Sequence, residues 1–270
     1  PPTAAAVVID NDTGEVRAMV GGNDFENRPF NLATQGYRQP GSTFKTFVLA
    51  TALEQGRSPS EVFSSQPKEF PIPGVSPKKE MFVVKNYDDN YLGSASIATA
   101  TQYSDNSVFA ELGLQLGTKK IARIANDMGI ETPVSTNPAM TLGGLDNYCC
   151  TPLEMTHAYE TLAAGGNRIS GTLDSVDGDA GKDPRDDGPV PIVKITDSKG
   201  DLVAENKLIK TRVLSSSVAN TEKGILQSVI SGGTGTHAAT GGYAWGKTGT
   251  TENYGDAWFC GGTEHFTACV

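Results

Sequence analysis

The sequence predicts an α+β fold in which a mostly antiparallel sheet is flanked by helices and accompanied by a helical subdomain. Three observations lead to this prediction. Strand-like runs lie at both ends of the chain, apolar residues recur at helical spacing through its middle, and the composition is that of an ordinary globular protein. Of the 270 residues, 37% are hydrophobic and 20% are charged. This length suits one large domain or two small ones, and it is enough to bury a substantial core.

The two ends of the chain supply the predicted strands. The N-terminal segment reads as a hairpin, with an apolar strand at 4–10, a turn, and a second strand at 15–20 that has apolar residues on one face. Three consecutive strands are predicted near the other end, at 245–251, 256–261 and 266–270. The chain would therefore contribute its first and last strands to one sheet.

The middle of the chain predicts helices. One helix is expected from Ser42 to about Gln55, where Gly56 ends it. Prolines recur between 57 and 92, which indicates a loop-rich stretch with at most short strands. Four helical patterns follow, at 94–103, 108–116, 119–128 and 152–164. We expect the helical subdomain to occupy about residues 57–165.

The segment after the helical subdomain predicts a loop, a hairpin and a helix. Residues 171–189 are rich in Asp and Gly and should form an exposed loop. Residues 191–196 and 201–204 flank a turn and should pair as a hairpin, and a helix is expected over 215–230. We expect residues 1–270 to form one domain whose sheet is built from 1–22 and 191–270.

Charge and segment composition exclude several classes of partner. The net charge is −9, and Lys and Arg are neither in excess nor clustered, which argues against nucleic acid or an anionic membrane surface as a partner. No run approaches the roughly 18 apolar residues of a membrane span, and the N-terminus has no signal-type segment. Because residues 266–270 stop inside a predicted strand, we interpret the chain as an excised domain whose anchor, if any, was removed.

The segment from Arg38 to Lys45 brings a serine to the start of a helix. Ser42 is a favoured residue at such a start, and Lys45 lies nearly one turn further along. A serine hydroxyl needs a neighbour that accepts its proton, and a desolvated lysine with a lowered pKa can be that neighbour. The helix N-terminus could also stabilise an oxyanion. The alternative is an ordinary N-cap serine followed by a surface lysine.

Two further clusters carry candidate chemistry. Ser104 and Asn106 lie in a break between two helical runs, where they could relay a proton and bind a substrate amide, although a helix cap is the alternative. In the predicted strand at 245–251, Lys247 and Gly249 point to one face, and Thr248 and Thr250 point to the other. Gly249 would let a ligand approach the strand edge closely while Lys247 attracts an anion. A bulge or an edge lysine is the alternative there.

Together and in this order, the three clusters resemble the transpeptidase domain of class A, bifunctional penicillin-binding proteins. The motifs are serine-x-x-lysine at Ser42, serine-aspartate-asparagine at Ser104 and lysine-threonine-glycine at Lys247. The flanking segments narrow the match, and the similarity covers nearly the whole chain. These segments are Ile9 to Gly22, Arg38 to Lys45, Leu142 to Gly144, Thr151 to Met155, Gly246 to Thr251 and Asp256 to Phe259.

The resemblance implies the penicillin-binding protein and serine β-lactamase fold and a serine D,D-transpeptidase that cross-links peptidoglycan stem peptides. Ser42 would be acylated, with Lys45 as its base. Ser104 and Asn106 would line the cleft, the first relaying a proton to the leaving amine and the second holding the acyl amide.

Further site roles follow from the same resemblance. Lys247 would support the electrostatics, and Thr248 and Thr250 would bind the substrate or penicillin carboxylate beside Gly249. The backbone N–H groups of Ser42 and Thr250 would form the oxyanion hole. β-Lactams would acylate Ser42 as mimics of the D-Ala-D-Ala substrate.

The family implies an extracytoplasmic location in the bacterial cell wall compartment and a membrane-anchored parent protein. The parent would also carry a glycosyltransferase domain, which is absent from this sequence. We expect stem peptides and β-lactams as partners and no cofactor.

Departures from the family pattern leave alternatives open. Class A enzymes often have proline directly after the first-motif lysine, whereas this chain has Thr46, from which we expect little mechanistic effect. The sequence lacks the glutamate-x-x-Leu-Asn segment with which class A β-lactamases position a deacylating water, so rapid penicillin hydrolysis is disfavoured. A D,D-carboxypeptidase or β-lactamase-type hydrolase, and a penicillin-binding sensor without turnover, stay as alternatives to the transpeptidase.

Cysteines and histidines give weaker indications. If 256–261 and 266–270 form a hairpin, Cys260 faces Cys269, where either a disulfide or two buried thiols would fit. The vicinal pair Cys149 and Cys150 could bridge, pair elsewhere or stay reduced. The three histidines are scattered and form no metal-ligand pattern, so we expect no metal, and the pattern argues against a zinc peptidase. They are His157, His237 and His265.

Overall fold

A computed structural model describes residues 3–72, 74–76, 80–146, 149–175, 188–251 and 255–270. Its strands are β1 Ala6–Asp10, β2 Val16–Val20, β3 Val62–Ser65, β4 Lys68–Pro71, β5 Met81–Val84, β6 Gly93–Ser96, β7 Asn167–Ser175, β8 Lys194–Thr196, β9 Leu202–Arg212, β10 Trp245–Thr250, β11 Ala257–Gly262 and β12 Phe266–Cys269. Its α-helices are α1 Leu32–Gln35, α2 Lys45–Glu54, α3 Ile97–Gln102, α4 Asn106–Leu116, α5 Thr118–Met128, α6 Pro152–Ala163 and α7 Ser216–Gly232. Short 3-10 helices span Gly41–Phe44, Tyr87–Asp89, Pro138–Leu142 and Thr236–Ala238.

The main sheet joins the two ends of the chain. Its order is β10-β11-β12-β1-β2, and every neighbouring pair is antiparallel. Val7 pairs with Cys269, so that β1 lies between its hairpin partner β2 and the last strand. The predicted N-terminal hairpin and the three predicted C-terminal strands are confirmed within one or two residues. The α+β fold class is confirmed as well.

The expected extent of the sheet was too broad. The predicted hairpin at 191–204 forms as β8 and β9, but these strands belong to a separate three-stranded sheet of order β7-β9-β8. The reason is the length of β9, which pairs with β7 over nine residues from Asn167↔Arg212 to Ser175↔Ala204. The predicted loop at 171–189 therefore begins as strand at 171–175, and its residues 176–187 lie outside the described part of the chain.

Two helix starts shift in a way that matters for the site. The pattern at 94–103 begins as strand, because residues 93–96 pair with β3, and Ser96 then caps α3. Helix α4 begins at Asn106, two residues earlier than predicted. Its cap is Asp105, whose Oδ1 accepts a hydrogen bond from the backbone N–H of Val108 at 2.8 Å. The break between α3 and α4 is thus a tight turn around Ser104.

Helix α2 runs through the centre of the molecule. All of its residues from Lys45 to Leu53 are buried, and it packs against α4, α5 and α7. One continuous apolar core joins these helices to β10, β11 and β12. A serine placed just before α2 is consequently held by a fully packed element of the core.

Both cysteine pairs are disulfides. Cys260 and Cys269 face each other across β11 and β12, as the predicted hairpin allowed, and Cys149 is bonded to Cys150. No helix in the described ranges is both long enough and apolar enough to cross a bilayer.

Candidate active site

The Ser42 turn is a single 3-10 helix, Gly41–Phe44, that continues directly into α2. Ser42 does not cap it, because the N-cap position is Pro40, and the alternative of an ordinary N-cap serine is therefore excluded. Gly41 has φ +52°, and a Cβ there would lie 2.6 Å from the Thr250 carbonyl oxygen. The turn therefore depends on glycine both for its backbone conformation and for its close contact with β10.

Lys45 reaches away from solvent into the cleft between α2 and α4. Its Nζ donates hydrogen bonds to the Ser104 carbonyl oxygen and to Asn106 Oδ1, each at 2.7 Å, and lies 3.2 Å from Ser104 Oγ. The Phe109 ring centroid is 5.4 Å away. Burial holds the pKa of Lys45 well below its usual range, and the neighbouring Lys247 lowers it further, whereas Asp105 opposes the shift. The expected alternative of a surface lysine is excluded.

Ser104 sits at the meeting point of the two site lysines. Its φ of +57° places it in the left-handed region, which is uncommon for a residue other than glycine. Lys247 Nζ donates to Ser104 Oγ at 2.8 Å and to the Thr248 carbonyl oxygen at 3.1 Å. Burial lowers the pKa of Lys247 to about 7. Two amines with lowered pKa values thus share one hydroxyl.

Asp105 and Asn106 have different functions in the turn. Asp105 is buried, caps α4, and accepts hydrogen bonds from Ser65 Oγ and Asn86 Nδ2. The capping alternative is therefore correct for Asp105. Asn106 instead faces the site: Oδ1 accepts from Lys45, and Nδ2 donates to the Lys85 carbonyl oxygen at 2.8 Å.

Strand β10 is an edge strand of the main sheet and packs against the Ser42 turn. Lys247 and Gly249 are buried while Thr250 is exposed, as strand alternation predicted. The expected use of Gly249 was wrong, however. A Cβ on Gly249 would lie 2.5 Å from the Pro40 carbonyl oxygen and 2.9 Å from Thr43 Cγ2, so its bare face is covered by the chain's own turn rather than left open for a ligand.

The edge of β10 that does not pair with β11 presents polar groups. Thr251 donates its backbone N–H to Asp256 on the β11 side, so the Thr250 N–H points the other way, because hydrogen-bonding directions alternate along a strand. Thr248 Oγ1 lies 2.6 Å from Thr234 Oγ1. The side chains of Thr248 and Thr250 thus share one face of β10 beside this open edge, and Thr234 lies next to Thr248.

Several supporting residues were not predicted. Asn86 Oδ1 accepts hydrogen bonds from the backbone N–H groups of Asn106 and Ser107 and so orients the start of α4. It lies in the proline-rich stretch, where no local pattern marks it. Trp258 Nε1 donates to the Gln39 carbonyl oxygen at 3.0 Å and connects β11 to the Ser42 turn. Trp258 could have been found from the sequence, because it lies in the segment Asp256 to Phe259 that carries part of the family resemblance.

Comparisons with known proteins agree with this geometry. Residues 4–265 match the family described as the penicillin binding protein transpeptidase domain. Penicillin-binding protein 1A of Neisseria lactamica is 34% identical over 267 residues, which cover 95% of this chain and 30% of that protein. The chain therefore spans less than a third of the length of this relative.

Solved structures show the same fold. The crystal structure of penicillin-binding protein 1A from Haemophilus influenzae superposes with a TM-score of 0.84 at 26% identity, over 99% of this chain and 42% of that one. The PonA1 protein from Mycobacterium tuberculosis, solved in complex with penicillin V, gives a TM-score of 0.76 at 24% identity, over 100% of this chain and 68% of that one. Taken with the family match over residues 4–265, these results show that the chain belongs to the penicillin-binding protein transpeptidase domain family.

Proposed function

We propose that this chain is a serine D,D-transpeptidase that cross-links peptidoglycan stem peptides through an acyl-enzyme on Ser42 and is inhibited by β-lactams. One observation carries the proposal. Lys45 and Lys247, which are both fully buried, approach the same Ser104 hydroxyl between the Ser42 helix and the edge strand β10. A structural role would not require two buried amines at one hydroxyl, because burying them is costly.

Acylation begins with the proton of Ser42. In its neutral form Lys45 has two N–H donors, and these are taken by the Ser104 carbonyl oxygen and by Asn106 Oδ1. The remaining position on Nζ lies 3.2 Å from Ser104 Oγ, and during the reaction the lone pair at this nitrogen would accept the Ser42 proton. Ser42 Oγ forms a bond to the carbonyl carbon of the penultimate D-Ala, and the bond from that carbon to the terminal D-Ala nitrogen breaks.

The leaving amine needs a proton when that bond breaks. Ser104 Oγ is within hydrogen-bonding distance of Lys45 Nζ and Lys247 Nζ, so it can pass a proton to the amine and be reprotonated by a lysine. The negative charge that develops on the carbonyl oxygen would be stabilised by the backbone N–H groups of Ser42 and Thr250. The substrate carboxylate would bind Thr248 and Thr250 along the β10 edge.

Transfer completes the reaction. The amine of a neighbouring stem peptide attacks the acyl carbon, its proton passes to the same base, and the bond to Ser42 Oγ breaks. A β-lactam would acylate Ser42 in the same way, but its leaving nitrogen stays tethered to the acyl group. The adduct should therefore persist.

Intact-mass spectrometry with penicillin tests the acylating site. A stable adduct on the wild type that is absent in Ser42→Ala supports the proposal, and tryptic mapping should place it on Ser42. Rapid drug loss without an adduct would indicate a β-lactamase-type hydrolase instead. An adduct located on another residue would contradict the assignment of Ser42.

A peptide assay separates the remaining alternatives. A stem pentapeptide incubated with an acceptor amine should yield a cross-linked product and free D-Ala. Release of D-Ala without cross-linking would identify a D,D-carboxypeptidase. A stable penicillin adduct with neither product would identify a non-turnover sensor.

We also propose that residues 1–270 act as one domain of a longer, membrane-anchored protein that carries a glycosyltransferase domain and works on the extracytoplasmic face. The support is that the chain covers 30% of the length of the Neisseria lactamica relative. Fluorescent-penicillin labelling of fractionated cells should find the full-length protein in the membrane fraction. Labelling in the cytosolic fraction alone would contradict this location.

A further inference from the structure

Thr46 directly follows Lys45, and its hydroxyl is hydrogen-bonded in the core. The side chain is buried, and Oγ1 lies 2.7 Å from the Tyr159 hydroxyl on α6. The Tyr159 hydroxyl in turn donates to the Thr43 carbonyl oxygen at 2.7 Å. A phenol has one hydrogen, and a carbonyl oxygen can only accept, so Thr46 must be the donor to Tyr159.

This chain of hydrogen bonds spans the junction between the 3-10 helix and α2. Thr43 lies one residue after Ser42, and Thr46 lies one residue after Lys45. Tyr159 therefore connects the two sides of the turn that sets the spacing of Ser42 and Lys45. Burial raises the pKa of Tyr159, so the phenol keeps its hydrogen at neutral pH.

The ring of Tyr159 contacts the other half of the site. It stacks parallel to the Trp245 ring, with centroids 6.3 Å apart and planes at 3°, and it meets Phe47 of α2 edge-on at 6.2 Å. Trp245 is the first residue of β10, two positions before Lys247. One side chain thus touches both the helix that carries Lys45 and the strand that carries Lys247.

We infer that Tyr159 and Thr46 form a positioning pair that holds the Ser42 turn in register with β10 and thereby sets the rate of acylation. This inference rests on the proposed function. Neither residue touches the substrate, so the pair acts through the placement of Ser42 and Lys45. Hydrocarbon side chains would fill the same space, whereas the two hydroxyls hold a defined backbone carbonyl at the junction.

Three variants and one matched control test the pair. Tyr159→Phe keeps the ring stack and removes both hydrogen bonds, Thr46→Val keeps the volume and removes the donor, and Thr46→Ser restores the donor. The control is Thr51→Val on the same helix, because Thr51 is also buried and its hydroxyl donates to the Phe47 carbonyl oxygen at 2.7 Å, within the helix. Thermal unfolding is measured for every variant.

The decisive measurement is the acylation of Ser42 by a fluorescent penicillin, resolved into the limiting rate constant and the half-saturating concentration. Tyr159→Phe and Thr46→Val should lower the limiting rate constant by roughly tenfold, with the half-saturating concentration unchanged. Thr46→Ser should recover it, and Thr51→Val should acylate at the wild-type rate despite a similar loss of thermal stability.

Three results would overturn the inference. The first is wild-type acylation by Tyr159→Phe and Thr46→Val, and the second is an equal loss in Thr51→Val, which would indicate a general effect of stability. The third is a change in the half-saturating concentration alone. A wild type that penicillin does not acylate on Ser42 would overturn the proposed function and this inference with it, and the two failures are therefore distinguishable.

Discussion

Two regions of the molecule, the cleft around Ser104 and the interior between α6 and α7, both bury side chains that can carry charge. They differ in the hydrogen-bond partners that those side chains find. In the cleft, Lys45 and Lys247 are fully buried and every polar neighbour they meet is oriented toward them. In α7, Glu222 is equally buried, yet neither of its carboxylate oxygens has a hydrogen-bond partner within the described residues. Burial alone is thus no sign of function, whereas burial with convergent partners is.

The two regions also have opposite effects on stability as the pH changes. Burial lowers the pKa of both lysines, so between the folded and unfolded pKa values the unfolded chain binds more protons, and stability rises with pH. Burial raises the pKa of Glu222 well above its usual range, so above pH 4.5 the folded chain binds more protons, and stability falls as pH rises. In both regions burial disfavours the charged form of the side chain.

The largest expected difference concerns activity. Lys45→Met should lower the penicillin acylation rate by about 10³-fold, because the Ser42 proton loses its acceptor. Glu222→Gln, which changes an equally buried position of the other region, should leave the rate within about twofold. Both rates can be followed with a fluorescent penicillin. Equal losses in the two variants would abolish the distinction between the regions.

The pH profile of acylation should show the Lys247 titration. With a pKa of about 7, Lys247 loses its charge between pH 6 and 8. If its charged form supports binding and attack, the second-order acylation rate constant should fall by about tenfold from pH 7 to pH 8.5. Burial lowers the pKa of Lys45 as well, so the proton that Lys45 loses would give the profile a rising side. A rate that rises steadily to pH 9 would contradict a role for the charged Lys247.

Glu222→Leu should stabilise the fold. The substitution removes a buried carboxyl group without hydrogen-bond partners and leaves a side chain of similar size, so the free energy of unfolding at pH 8 should rise by about 1 kcal/mol. Urea unfolding at several pH values gives the measurement, and the fall in stability above pH 5 should become shallower. Glu222→Gln separates the loss of titration from the loss of polar atoms. A destabilised Leu variant would mean that the carboxyl group contributes favourably where it is.

The smallest effect is expected at an exposed ion pair beside the cleft. Arg38 Nε lies 2.6 Å from Asp256 Oδ1, and the Arg38 side chain is 48% exposed. Arg38→Gln should lower the free energy of unfolding by less than about 1 kcal/mol, with the difference vanishing in high salt. This pair shows how little a charged group contributes to stability when it is exposed to solvent rather than buried. A loss that persists in high salt would show that Arg38 acts by packing rather than by charge.

Much of the site could be predicted because its motifs are local. Ser42 and Lys45 are three residues apart on one helical turn, and alternation along β10 predicted that Lys247 and Gly249 share a face opposite to that of Thr248 and Thr250. The left-handed backbone of Ser104 was not predictable, because it depends on Asp105 and Asn86 meeting from distant segments. Gly249 was misjudged for a related reason: its neighbour Pro40 is far away in sequence.

The fold shows the same division. The hairpin of β1 and β2 follows from residues that lie next to each other, and it was predicted. The pairing of β9 with β7 rather than with the main sheet brings together segments about 40 residues apart, and no local pattern specifies that choice. Short helices and strands can be predicted from local sequence, whereas the strand with which each strand pairs depends on the tertiary packing of distant segments.

The order of the main sheet has a consequence for folding. β1 emerges among the first residues of this segment, but its partner β12 is among the last. Until β12 is in place, β1 keeps an edge of unpaired backbone N–H and C=O groups with which another chain can pair. β10, which carries Lys247, connects to that hairpin only through β11 and β12. A chain that lacks β12 should therefore be both inactive and prone to aggregate.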